Sequence, residues 1–150
     1  MHYWLMKSEP QAFSIDDLAR NKIEPWDGVR NYQARNFMRD AMSIGDGILF
    51  YHSNCQVPGV VGLAEVASAA YPDSTQFDVN NRHYDPKSLP ETPRWYLVEV
   101  AFIRKLKRTI TLEELKNASE LGDFVLTRRG NRLSVMPVSR TQWLHILKLE

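Results

Sequence analysis

The chain is 150 residues long, 43% apolar and 25% charged, with a formal net charge of +1, the profile of one ordinary globular domain spanning residues 1–150. No apolar run is long enough to cross a bilayer, the single cysteine (Cys55) excludes an internal disulfide framework and a cysteine zinc cluster, and the small net charge argues against a protein that coats nucleic acid by bulk electrostatics. Met1–Lys7 lacks the charged and apolar regions of a signal peptide, so a reducing, cytoplasmic setting is expected, or a nuclear one in a eukaryote.

His2 to Lys7 is aromatic-rich and weakly alternating, which predicts a strand that Pro10 brings to an end. Ser14 is placed to cap a short helix over 14–19, with Asp16 and Asp17 in its first turn. Pro25-Trp26-Asp27-Gly28 carries turn chemistry. Asn31 to Met42 follows as a predicted helix with Phe37, Met38, Ala41 and Met42 inward. Gly45-Asp46-Gly47 breaks it, and Ile48–His52 reads as a strand antiparallel to a long one over Val60–Tyr71, with Gly62 marking a bulge or a close approach. Residues 72–93 hold Pro72, Pro86, Pro90 and Pro93 and little periodicity, which predicts an ordered excursion anchored by Phe77 and Tyr84. Arg94–Lys105 reads as a central strand, and Thr111 with Glu114 as the capping box of a helix. Phe124–Leu126 and Leu133–Met136 read as extended pieces around Arg128-Arg129-Gly130, interrupted at Pro137-Val138. Ser139 caps a final helix that turns Trp143, Ile146 and Leu147 inward. Five or six strands with short helices between them give an α+β class, a small, mostly antiparallel barrel with peripheral helices.

Trp26 belongs to no amphipathic period. Beside Arg30, Asn31 and Tyr32 it is either an aromatic plate for a flat heterocycle such as a nucleobase, or a plug at the end of the core. Ser53-Asn54, at a strand end, either reads a base edge or satisfies its own turn. Lys7, with Glu9 or Glu65, either performs acid–base chemistry or forms a structural ion pair. The histidines, at 2, 52, 83 and 145, have no ligand spacing, and no glycine loop cradles a phosphate, so neither a metal nor a cofactor is expected. Basic runs lie at Arg30/Arg35/Arg39, Arg104/Lys105/Lys107/Arg108 and Arg128/Arg129/Arg132. Each is a solvated face unless the runs share one surface.

Trp4 with Lys7-Ser8-Glu9-Pro10, Trp26 through Asn36, Phe50 through Asn54, Gly59 through Val66, Tyr84 through Ser88 with Trp95, and Arg132 through Val138 together form an ordered set that resembles the EVE domain family of the PUA-like superfamily. In the excursion only Tyr84–Ser88 matches. The resemblance implies a PUA-like mixed β-barrel with a pocket akin to that of YTH domains. Trp26 would be a pocket wall, Lys7, Ser8, Val29, Arg30, Asn31, Ser53 and Asn54 its lining, and Arg132 and Ser134 its rim. It implies a non-catalytic reader of a modified base, such as a modified cytosine in DNA or a modified base in RNA. The expected partners are that nucleic acid and a protein effector, with no membrane partner. The rival expectations are a small hydrolase of modified nucleosides and an RNA-binding module indifferent to modification.

Overall fold

Trp4, Leu5 and Met6 are buried in a row, which requires cover on both faces, because neighbours on a strand point to opposite sides. They belong to β1 (Tyr3–Ser8), which runs parallel to β3 (Gly47–His52) on one side and antiparallel to β8 (Val135–Val138) on the other. Through β3 the sheet continues, all antiparallel, to β4 (Gly59–Val66), β7 (Glu99–Thr111) and β2 (Ile23–Pro25), in the order β2-β7-β4-β3-β1-β8. β5 (Tyr71–Pro72) and β6 (Tyr96–Leu97) form a separate two-stranded ladder. The structure, a computed structural model, describes residues 1–150. The end strands β2 and β8 do not pair with each other, so the curled sheet is a half-barrel with an open seam.

Alternation along the strands feeds two cores. Trp4, Met6, Ile48, Phe50, Ala64 and Val135 pack on one face under α1 (Ile15–Asn21) and α2 (Tyr32–Asn36), with Trp26 and Val29. Leu5, Leu49, Leu63, Met136 and Val138 pack on the other under α3 (Leu112–Asn117), α4 (Arg140–Lys148) and Phe124. Ser14, Thr111 and Ser139 cap α1, α3 and α4, each closing a capping box, with Asp17, Glu114 and Gln142 respectively. Buried Asp46 accepts from the His2 N–H (3.1 Å), the Trp4 indole Nε1–H (3.0 Å) and the Ser43 N–H (3.0 Å), tying the turn before β3 to β1. A Cβ on Gly62 would drive into the Ile15 side chain, so α1 sits directly on β4 there, and the β4–β7 register shifts beside it. No helix is long and apolar enough to cross a membrane.

The fold class is the expected one, with several corrections to its elements. The predicted helix over Asn31–Met42 is α2 followed by one π-type turn, Phe37–Ala41. The strand expected over Val60–Tyr71 stops at Val66, because the Ser68 hydroxyl takes the Glu99 N–H (2.9 Å) and turns the chain out of the ladder. The predicted Arg94–Lys105 strand is divided between β6 and a β7 that runs on to Thr111 and lies next to the sheet edge. Phe124–Leu126 is not extended: a 3-10 turn covers Val125–Thr127. Pro137 lies inside β8 rather than interrupting it, since an edge strand can spare an N–H. The excursion is ordered, but polar groups anchor it. Buried Gln76 donates to the carbonyls of Asp73 (2.7 Å) and Trp95 (2.8 Å) and accepts from Ser88, Arg94 and Trp95, while Tyr84 stays exposed.

Candidate nucleic-acid interface

Trp26 follows β2 at the open seam. Its N–H donates to the Val98 carbonyl (2.9 Å), and the Asp27 N–H donates back to Pro25 (3.0 Å), closing a tight turn. Gly28 then adopts φ +81°, and a Cβ there would lie 2.6 Å from His83 Nε2, so both backbone and space call for glycine. The Trp26 ring is 8% exposed and meets Phe13 (6.2 Å) and Phe50 (5.6 Å) almost perpendicularly. Its remaining surface walls a cleft of about 360 Å³, whose lining includes Lys7, Ser8, Phe13, Asp27, Val29, Arg30, His83 and Ser134. The indole therefore fills the core, as the plug reading expects, and also walls the cleft.

Arg30 holds the cleft together. All five of its N–H donors are engaged: Nε and Nη2 on the His83 carbonyl (3.0 and 2.9 Å), Nη1 on Val29 O (3.1 Å) and Asp73 Oδ2 (3.0 Å), and Nη2 also on Thr75 Oγ1 (3.0 Å). Asp73, fully buried, also accepts from the N–H groups of Gly28 (2.8 Å) and Thr75 (2.9 Å) and from the Thr75 hydroxyl (2.6 Å). Burial pushes its carboxyl pKa up, but the bonds from Thr75, Gly28 and Arg30 together outweigh burial and hold it below the ordinary carboxylate value. This clamp fastens residues 73–83 beside the Trp26 turn. Tyr32 lies outside the cleft, stacked on Trp95 (4.7 Å, 23°) under the Arg35 guanidinium. The Trp95 indole N–H donates to Asp85 (2.7 Å).

The groups left free in the cleft are few. Lys7 makes no ion pair, and partial burial lowers its pKa. Asp27 also makes no ion pair. Desolvation first, and the Asp73 carboxylate second, raise its pKa. His83 is held below its ordinary pKa by burial, then by Arg82 and Arg30, and its Nε2 accepts from Arg82 Nε (3.2 Å). Glu9 and Glu24 also line the cleft. Glu65 does not reach it. It pairs across from Gly47, which pairs with Tyr3, four residues along β1 from Lys7 and so roughly 13 Å away along the strand. Neither the ion pair nor the acid–base pair between Lys7 and Glu65 forms. No group of three or more His, Cys, Asp or Glu comes together in a metal-holding arrangement.

A second cleft, about 500 Å³, adjoins the first. Asn31, Gln33, Arg128, Arg129, Asn131 and Arg132 line it, and no acidic residue does. Of the residues expected at the site, Lys7, Ser8, Trp26, Val29, Arg30 and Ser134 line the first cleft, and Asn31 and Arg132 the second. The Ser8 hydroxyl donates to the Phe13 carbonyl, and the Asn31 side-chain oxygen caps α2 by accepting from the Ala34 N–H (2.9 Å). Ser53 sits behind Ser8, its N–H on the Ser8 carbonyl (3.0 Å), and Asn54 is exposed with φ +52°. Neither Ser53 nor Asn54 lines either cleft. Asp27, Asp73, Arg82 and His83 escaped sequence reasoning. Asp27 reads as turn chemistry alone, and the other three lie in a stretch without periodicity.

An α+β half-barrel with an aromatic-walled cleft at its open seam is the class of domain these features define. The chain belongs to the EVE domain family, whose profile matches residues 2–149. It is 47% identical over 171 residues to mouse thymocyte nuclear protein 1, covering 99% of this chain and 74% of that protein. Among solved structures it is similar to human THYN1 in complex with 5-methylcytosine-containing DNA, at 45% identity and a TM-score of 0.93, covering 99% of this chain and 97% of that one. It is equally similar to a protein from Pseudomonas syringae, at 47% identity and a TM-score of 0.94 over 98% of both chains.

Proposed function

We propose that this chain is a non-catalytic reader of a modified base, and that the base is 5-methylcytosine in DNA. The observation that carries this is the complex of human THYN1 with 5-methylcytosine-containing DNA, a chain of the same fold at 45% identity. The cleft supports it. A volume of about 360 Å³ lies near the lower end of small-molecule sites, room for one base. Extruding a base from a duplex costs a few kcal/mol, and stacking on an aromatic side chain returns about 1–3 kcal/mol. In this reading the Asp27 carboxylate accepts from the exocyclic amine of cytosine, and the Lys7 ammonium donates to the neighbouring ring nitrogen or carbonyl. Arg30, with no donor to spare, positions the wall rather than the ligand. The site of action is a compartment holding DNA, the nucleus or an undivided cytoplasm.

The test is a binding panel of DNA and RNA oligonucleotides carrying plain or modified cytosine or adenine, with products checked by mass. A methyl-sized difference is worth about 1–3 kcal/mol, so the expected preference for 5-methylcytosine is modest. It should disappear in Trp26→Leu, which keeps an aliphatic group in the core at the cost of the indole's volume, with thermal unfolding checking that the variant is folded. Preference unchanged in the variant, or an altered base in the products, overturns the proposal.

A further inference from the structure

Three basic runs mark the sequence, and the structure distinguishes them by how their charges are partnered. In the first, Arg30 is spent inside the fold, Arg35 donates to the Arg94 carbonyl (2.6 Å) and Asn36, and Arg39 pairs with Asp40 (2.8 Å). In the second, Arg104 pairs with Glu150, Lys105 with Asp16 and Arg108 with Glu114, leaving Lys107 alone. In the third, Arg128 pairs with Asp123 (2.8 Å), but Arg129 and Arg132 are exposed, have no carboxylate partner and line the second cleft.

The loop that presents them is ordered. Asn131 N–H donates to the Arg128 carbonyl (3.1 Å), the Asn131 side-chain oxygen accepts from the Leu133 N–H (3.2 Å), and Gly130 turns the chain at φ +78°. Across the cleft stands Gln33, exposed and unbonded in the fold, and the free amide nitrogen of Asn31. The clefts adjoin along two chain segments. Val29 and Arg30 line the first where Asn31 lines the second, and Ser134 lines the first where Arg132 lines the second. The two clefts therefore draw their linings from neighbouring residues of the same two chain segments.

We propose that the Arg129–Arg132 cleft is a phosphodiester track for the strand whose base occupies the Trp26 cleft, an inference that rests on the base-reading proposal. Two arginines without carboxylate partners supply charge for two backbone phosphates, and the amides supply neutral donors. The track carries affinity, and the Trp26 cleft carries the choice of base.

The experiment measures affinity for a short DNA duplex with one central cytosine, plain or 5-methylated, across 50–200 mM salt, in wild type and in the double variant Arg129→Gln/Arg132→Gln. Each phosphate contact contributes about 0.9 to the slope of log affinity against log salt, so losing two should flatten it by roughly 1.5–2 and cost about tenfold or more near 0.1 M salt. The loss should be equal for plain and methylated DNA. Arg129→Lys/Arg132→Lys should keep the slope, as should Lys116→Gln on α3, and thermal unfolding confirms that each variant is folded. A slope unchanged in the glutamine variant overturns the track, as does a loss confined to methylated DNA. If Trp26→Leu keeps the methyl preference while the salt slope still answers to Arg129 and Arg132, the base-reading proposal fails and the track does not.

Discussion

At the residue scale, the cleft depends on one buried carboxylate. Asp73 takes a backbone N–H from Gly28 and a guanidinium N–H from Arg30, so one side chain fixes both the turn after Trp26 and the segment carrying His83. Asp73→Asn removes the charge and points an amide donor at groups that are themselves donors. Breaking a buried pair of this kind should cost roughly 3–5 kcal/mol, read by chemical denaturation. An unchanged midpoint would contradict the clamp. The sign of its pH dependence follows from the depressed pKa. Its contribution is complete above the unfolded carboxyl value, about 3.9, and is lost as pH falls through the lower folded value. Nothing in the sequence marks Asp73, which sits in an aperiodic polar stretch. Trp26 was legible because an aromatic residue in a proline–glycine turn has no helix or strand face to bury it.

At the element scale, what was legible was local. Ser14, Thr111 and Ser139 each stand three residues before an acid or amide, and each begins a helix. What was not legible depended on partners distant in sequence. Ser68 ends β4 by binding Glu99, and the excursion is pinned by Gln76 rather than by its aromatic residues. Another distant partner seats α1. His52, at the end of β3, accepts the Ile15 N–H at Nε2 (3.1 Å), a bond only the neutral ring accepts there. Burial first, then Lys105, lowers its pKa against the opposing pull of Asp16. A folded pKa below the unfolded value means that the unfolded chain binds more protons. Stability from this group is complete above about 6.5 and declines as pH falls through the folded value. Unfolding free energy should therefore drop as pH falls below about 6.5, and drop less in His52→Gln. Equal slopes in the two proteins would remove His52 from the account of α1.

At the scale of the whole molecule, the open seam between β2 and β8 puts the Trp26 turn, the end of β1 and Ser134 around one cleft. Periodicity gave the α+β class, but not this seam, because which strands stay unpaired is decided by the sheet as a whole. The ordered motifs resembling EVE domains brought Lys7, Ser8 and Ser134 to Trp26, residues that no local pattern connects. They did not foresee that Arg132 and Asn31 would line a neighbouring basic cleft. The claim on which the rest depends is that a modified base enters the Trp26 cleft. The most direct measurement is the NMR signal of a DNA duplex whose single 5-methylcytosine carries a ¹³C-labelled methyl group, titrated with the protein to saturation. The expected result is a large ring-current shift of the methyl resonance in wild type that is absent in Trp26→Leu at equal saturation. A methyl resonance that stays in place while the duplex is fully bound would contradict the account.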